Sequence, residues 1–445
     1  MALFTQSPGF FSWKLLKTTT TSNCSSSSFF YIRCSFSSSV SHRPIRYAVL
    51  GAGFAGLSVT WNLLQHGPKE SHICIDIYDG VGIGGGASGV AGGLLHPYSP
   101  KVKLLWQGAE FWKESLHLLN IAERALVREK KSETPENGES HIIRRRGILR
   151  PAVNSKNMNI MTENAQNCLA NCRIELIHEN AARMLVPTLS LPLDLAFYMP
   201  QALNVNAQAY LQGLYLACED VANEMSTLGL GHRELNFRHK SVQSLLELEG
   251  DYDAVIICFG ARAAFLPELS GKLPLRSCRG VIAQLQLSDD TREEYPKHSP
   301  SILSDAWLSI QGGRHIDLGS TWDWNSTNYS RHVTSDEVTE AVENLVPKAS
   351  SVYPALKNWT VTGAVAGLRA MPPLAAAGSL PLLGSVDEYV VGGAPSCKYW
   401  LFTGLGARGL LFHGWLGKLL ALSVLSRDED LIPLELTSWK HNIGR

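Results

Sequence analysis

The chain has little of three things, and each shortage narrows what it can be. Net charge is the first: Lys+Arg and Asp+Glu each number 40 in 445 residues. A neutral chain has no bulk electrostatic pull on nucleic acid or on an anionic membrane. Paired cysteine is the second. Nine cysteines are scattered with no C-x-x-C spacing. Cys168 and Cys172, at i,i+4, have no Cys/His pair to complete a tetrahedral set. Neither a disulfide scaffold nor a metal site is expected. Uninterrupted apolar sequence is the third. Glycines punctuate Ile45–Leu64, and Arg408, His413 and Lys418 interrupt Gly404–Leu425, at depths where charge is costly in lipid. Both are expected to be buried elements of a soluble protein with no membrane span. With 45% apolar and 18% charged residues, the composition is that of a globular chain of about two or three domains.

Acidic residues are missing from the first 44 positions, and the first in the chain is Glu70. Ser and Thr fill this stretch instead, with Lys14, Lys17, Arg33 and Arg43 as its cations. Such a segment cannot bury a core. It has no continuous apolar h-region for a secretory signal and reads as an organelle transit peptide, for a plastid in preference to a mitochondrion. Its removal leaves 36 basic against 40 acidic residues, which argues further against a nucleic-acid partner.

From position 45 onward the chain is rich in signal. Ile45–Leu50 is a β-branched and apolar run suited to a buried parallel strand. Gly51-Ala-Gly53-Phe54-Ala55-Gly56 comes next, then helical periodicity over Leu57–Gln65, then a second strand, His72–Tyr78, ending at Asp79. In this order Gly51 makes the tight turn, Gly53 admits a pyrophosphate against the backbone, and Gly56 lets helix pack on strand. The N–H groups of Phe54 and Ala55 open the helix toward the phosphates. Asp79 lies 28 residues after Gly51 and is expected to accept from ribose hydroxyls, in preference to mid-strand Asp76.

The next segment selects FAD over NAD. Gly84–Pro97 is a long glycine-rich loop with one hydroxyl, Ser88. The backbone of Ala87, Gly92, Gly93 and Leu94 is expected along the pyrophosphate and flavin, with Ser88 bonding a phosphate or ribityl oxygen. Tyr252–Ala261 reads as a buried strand closing over the cofactor at Gly260, with Val242 a backbone partner for adenine. Tyr399–Thr403 reads as a strand and Leu410–Leu425 as a helix. Between them, Gly404, Gly406, Ala407, Arg408, Gly409 and Leu410 form a second glycine-rich turn. Too little chain remains for another βαβ unit. The turn is expected to cradle the negatively charged pyrimidine end of a reduced flavin on a helix N-terminus.

On Gly84–Pro97, Tyr198–Gln201, Leu273–Gln284, Gly367–Met371, Leu380–Gly384 and Gly404–Leu410, the chain resembles the D-amino-acid oxidase/glycine oxidase superfamily of FAD-dependent oxidoreductases. Within it, the chain is most similar to the oxidoreductase half of the bacterial bifunctional tRNA 5-methylaminomethyl-2-thiouridine biosynthesis enzyme. The resemblance implies hydride transfer from a carbon beside an amine nitrogen to flavin N5, imine hydrolysis and reoxidation by O2. The cofactor carries the hard step, so no Ser-His-Asp set is needed. Arg369 takes the motif position that binds the substrate carboxylate, a task suited to a guanidinium fork. Arg408 is a candidate flavin or substrate contact, and His96 a candidate beside the flavin face. Met371 stands where some relatives link flavin to a cysteine, which implies non-covalent FAD.

The expected fold is α/β: a Rossmann-like FAD-binding domain (GR2-type) with an inserted antiparallel-sheet substrate domain. The first takes 45–105, 197–270 and 363–435. The second takes 106–196 and 271–362, with a helix at Leu104–Arg128 and strands at Ile142–Leu149, Leu273–Leu287, Ser301–Ile310 and Arg314–Thr321. Residues 436–445 are expected as a tail. Trp307, Trp322 and Trp324 are candidates for the pocket wall. The basic cluster Arg144–Arg146 is expected to be a solvated strand end. The expected function is oxidation of a small amino acid or secondary amine. The alternatives are a flavoenzyme that modifies a tRNA wobble uridine, a non-catalytic flavin-binding protein and, last, a nicotinamide dehydrogenase.

Overall fold

The computed structural model describes residues 43–129, 142–227, 231–288, 294–390, 392 and 396–442. The expected transit segment, but for its last two residues, and residues 130–141 of the expected inserted domain lie outside them. Two large sheets organise the rest. The first has six strands in the order Leu382–Ser385, Lys398–Thr403, Ala254–Ile257, Ile45–Leu50, Ile73–Tyr78 and Arg233–Arg238. Every neighbouring pair is parallel except Leu382–Ser385 with Lys398–Thr403. Its central strands are mostly apolar because both faces are covered, and Arg46 and Asp76 within them are paired with each other. Helices Phe54–His66, Gly108–Glu129, Ala207–Thr227 and Gly409–Ser426 pack together beside it. The other face buries Val242, Leu245, Leu248, Tyr252 and Leu266.

The second sheet has eight strands in the order Trp359–Met371, Arg276–Leu287, His315–Gly319, Trp307–Gly312, Ser301–Ile302, Ile148–Pro151, Leu195–Met199 and Glu175–His178. Its pairs are antiparallel apart from Ser301–Ile302 with Ile148–Pro151. Helix Ser335–Ser350 covers it through Ala341, Leu345 and Ala349. Parallel and antiparallel sheets are thus joined in one α/β fold.

Several expected boundaries fall elsewhere. Helix Gly108–Glu129, expected in the inserted domain, lies against Ala207–Thr227 and Gly409–Ser426. Its buried face, Phe111, Trp112, Leu118 and Leu119, belongs to the same core as the first sheet. The cuts at 197 and 363 pass through strands Leu195–Met199 and Trp359–Met371, both held in the second sheet by their pairing. The expected strand Ile142–Leu149 breaks at Gly147, whose φ of 78° turns the chain. Ile143–Arg144 then joins a small sheet with Leu203–Val205 and Leu94–Leu95. The expected tail is anchored in part: Trp439 is buried and donates from Nε1 to the Leu383 carbonyl. In the basic cluster, Arg145 is ion-paired with Glu123 at 2.8 Å. Gly409–Ser426 is the one described helix long and apolar enough to cross a membrane, and it packs between Phe54–His66 and Gly108–Glu129.

The turn from Ile45–Leu50 into Phe54–His66 needs its glycines for separate reasons. Gly51 has φ +111°, and Gly56 sits so close that a Cβ there would lie 1.8 Å from the Gly51 carbonyl oxygen. Alanine normally favours a helix over glycine by about 1 kcal/mol. Here Gly56→Ala is expected to reverse that sign and destabilise by about 3 kcal/mol or more. Urea unfolding checks it, and stability equal to the parent's would show that the backbone can yield.

Candidate functional site

A cavity of about 660 Å³ runs from the first glycine turn to the underside of the second sheet. At one end lie Gly51, Gly53, Phe54 and Ala55. Helix Phe54–His66 opens without a cap from Gly53. Ser88 Oγ accepts the Phe54 N–H at 3.1 Å, and a Cβ on Gly53 would meet that oxygen at 2.7 Å. Ser88 therefore fixes the distance between the glycine-rich loop and the helix start, and its hydroxyl proton remains available to an anion. Asp79 lines the cavity and ties the turn together: Oδ2 accepts from Ala52 N–H at 3.0 Å, while Oδ1 accepts from Val81 and Gly82 N–H. Asp76 is buried and held by Arg46, Arg238 and Tyr252, which makes it a structural carboxylate.

The loop residues Ala87, Ser88, Gly92, Gly93 and Leu94 all line the cavity, as does Gly260 at the end of strand Ala254–Ile257. At the far end come Gly406, Ala407, Arg408, Gly409 and Leu410. Gly406 N–H donates to the Ala370 carbonyl at 2.9 Å, tying this turn to the second sheet. Helix Gly409–Ser426 begins there, also without a side-chain cap. Three expected residues do not line the cavity. Gly56 is consumed by its contact with Gly51, Gly404 faces Leu382 and Leu275, and Val242 is buried in the apolar layer on the sheet's other face.

The polar wall is built from arginines. Arg369, on strand Trp359–Met371, donates from Nη2 to the Thr321 carbonyl at 2.7 Å and from Nη1 to Ser320 Oγ at 3.2 Å. Its guanidinium lies 4.0 Å above the Trp322 ring. Burial pushes its pKa down, with Cys278 working the other way. Arg408 donates to the Tyr98 carbonyl at 2.9 Å. Burial, and then the charge of Arg150, lowers its pKa to about 10. His96 Nδ1 accepts the Tyr98 N–H at 3.3 Å, which leaves the ring proton on Nε2. Burial, then Arg408 and Arg150, push His96 down to about 3. It is a neutral N–H donor and not an acid at ordinary pH.

Trp307 and Trp322 line the cavity as expected; Trp324 instead stacks on Trp322 at 5.8 Å. Sequence reasoning missed Arg150, Asp305, Arg262, Tyr329 and Ser320, all on the wall. No motif marks them: Arg150 comes from a strand, Arg262 from the short helix that starts at Gly260, and the others from loops.

An elongated dinucleotide fits these walls. Two uncapped helix N-termini suit negative groups at opposite ends. The lining between them is rich in glycine, and a Cβ on Gly86 or Gly260 would meet open space. The family model for FAD dependent oxidoreductases (DAO) matches residues 46–422. A Rhizobium etli protein named as a thiamine biosynthesis oxidoreductase (ThiO) is 26% identical over 273 residues, 58% of this chain and 67% of its own. Glycine oxidase from Geobacillus kaustophilus superposes with TM-score 0.63 at 18% identity, covering 88% of this chain and 98% of that one. Iminodiacetate oxidase from Chelativorans sp. BNC1 gives 0.62 at 19%, covering 88% and 98%. L-proline dehydrogenase from P. horikoshii gives 0.63 at 15%, covering 90% and 99%. At these identities the solved structures show a shared fold.

His96 generates a pH prediction. Its folded pKa of about 3 lies below the ordinary 6.5, so protons bind the unfolded chain preferentially. The stability of the neutral ring is full above pH 6.5 and falls as pH drops toward 3. His96→Gln should therefore gain on the parent by about 1.4 kcal/mol per pH unit below 6.5. Urea unfolding of both proteins at pH 7.5 and 5.5 reads this, and a pH-independent difference contradicts it.

Proposed function

The chain belongs to the family of FAD-dependent oxidoreductases matched over residues 46–422, and from that premise we propose that it oxidises a carbon–nitrogen bond in a small amino acid or a carboxylate-bearing secondary amine. The observation that carries this reading is Arg369. Its guanidinium lines the same cavity as the glycine turns, and among the described residues no carboxylate lies within ion-pair distance of it. A buried guanidinium without a counter-ion is unfavourable until an anion arrives, and its planar fork matches a carboxylate.

Bound FAD supplies a two-electron acceptor for hydride. The protein's part is to hold and orient. Arg369 fixes the substrate carboxylate, and Trp322 and the Thr321 carbonyl fix Arg369. Trp307 walls the cleft, and His96 presents a neutral Nε2–H. With FAD bound, hydride would leave the amine carbon, the product imine would take up water to give a carbonyl compound and an amine, and O2 would take the two electrons and two protons as H2O2. The names of the superposed proteins, glycine oxidase and iminodiacetate oxidase among them, support amino-acid or imino-acid substrates. The acid-free, hydroxyl-rich first 44 residues support a plastid address.

The test is an anaerobic screen of amines and amino acids against the purified FAD-loaded protein, read as bleaching of the flavin band. At least one carboxylate-bearing amine should bleach it. Arg369→Ala should raise the concentration needed by about 100-fold, the size expected when a buried charge pair is removed, with Arg369→Lys in between. FAD content controls for folding. A protein that no such amine reduces, or an Arg369→Ala variant with unchanged concentration dependence, rejects the proposal.

A further inference from the structure

Guanidinium groups drawn out of water in this chain are handled in two ways, Arg279 being buried and Arg150 half-buried. Arg279, 2% exposed, has its donors answered within the fold. Its Nε donates to Glu337 at 2.7 Å, Nη1 to the Asn328 and Ser330 carbonyls, and Nη2 to the His332 carbonyl. That is how a structural arginine pays for burial.

Arg150 is treated differently. It sits on strand Ile148–Pro151 and lines the cavity. Among the described residues its guanidinium has neither a hydrogen bond nor a carboxylate within ion-pair distance. Burial lowers its pKa, and the charge of Asp305, also on the cavity wall, offsets this. Arg408 lies near enough that Arg150 depresses its pKa, and it has a carbonyl but no carboxylate for a partner. His96 adds its neutral Nε2–H beside them. Two guanidinium groups and one N–H donor thus face this part of the cavity, with Asp305 the one carboxylate among them.

We infer that Arg150, with Arg408 and His96 Nε2–H, forms a second anion-binding subsite, so that the amine oxidised here carries two anionic groups, one held at Arg369 and the other at Arg150. This rests on the oxidase reading for the word amine, but the subsite stands on its own geometry. The strands bearing Arg369 and Arg150 are five positions apart in the second sheet. The two anions are therefore separated by a chain of several bonds and are not on neighbouring carbons. A carboxylate and a phosphate present the same chemistry to such a subsite.

Ligands that cannot be oxidised test it without turnover. The FAD-loaded full chain is titrated with octanoate, suberate and 8-phosphonooctanoate, and with butyrate and succinate as a short pair, reading the perturbation of the flavin absorbance. Suberate or 8-phosphonooctanoate should bind about tenfold or more tightly than octanoate, the gain expected of one charge-assisted contact. Whichever of the two leads identifies the second group. The short pair should show no such gap. Arg150→Gln should collapse the long-chain ratio to near one, and Arg150→Lys should retain most of it. Octanoate binding as tightly as both dianions overturns the inference, whatever the variants do. So does a ratio that survives Arg150→Gln in protein that keeps its FAD. The two readings fail separately: a dianion preference in a protein no amine reduces keeps the subsite and loses the oxidase, and reduction by amines without the preference does the reverse.

Discussion

The backbone at Gly56 comes within touching distance of the backbone at Gly51, and the space for a side chain between them is absent. That contact seats helix Phe54–His66 on the parallel sheet and points its first amides into the cavity. A similar economy of atoms brings the second sheet down. A Cβ on Gly367 would lie 2.8 Å from Ala87 and Val90, and one on Gly280 would lie 2.6 Å from the Arg369 guanidinium. Close backbone approach at these points shapes a long cleft whose walls are main chain at one end and guanidinium at the other.

Electrostatics divides the cleft along the same line. The nucleotide end relies on helix termini and amides, which stabilise negative charge without carrying a full positive one. The other end relies on Arg369, Arg408 and Arg150, whose pKa values burial all lowers and none of which has a carboxylate within ion-pair distance among the described residues. Arg279 shows that the fold can satisfy a buried guanidinium completely when the role is structural. Leaving three without a carboxylate partner in one cavity is a standing cost to the empty protein that anionic ligands relieve.

The nucleotide half was legible because its physics is local. Gly51, Gly53, Gly56 and Asp79 stand at fixed spacing between a strand, a helix and a second strand, and the structure places them on that plan. Arg369 came from its motif. The losses have a different character. Arg150 reaches the cavity because Ile148–Pro151 pairs with Ser301–Ile302 and Leu195–Met199, pairings that no local pattern announces. Val242 was expected as a backbone contact by position, and its side chain packs with Leu245 and Tyr252. Helix Gly108–Glu129 has an amphipathic face that a sequence can reveal, but which core that face joins depends on Gly409–Ser426, some 300 residues away.

Helix Gly409–Ser426 and strand Lys398–Thr403 bear on biosynthesis. The strand pairs with Ala254–Ile257, and the helix packs against Phe54–His66. Elements from the start of the described chain thus wait for partners that follow more than 300 residues later. Until then the apolar side of Phe54–His66 has no cover from that helix.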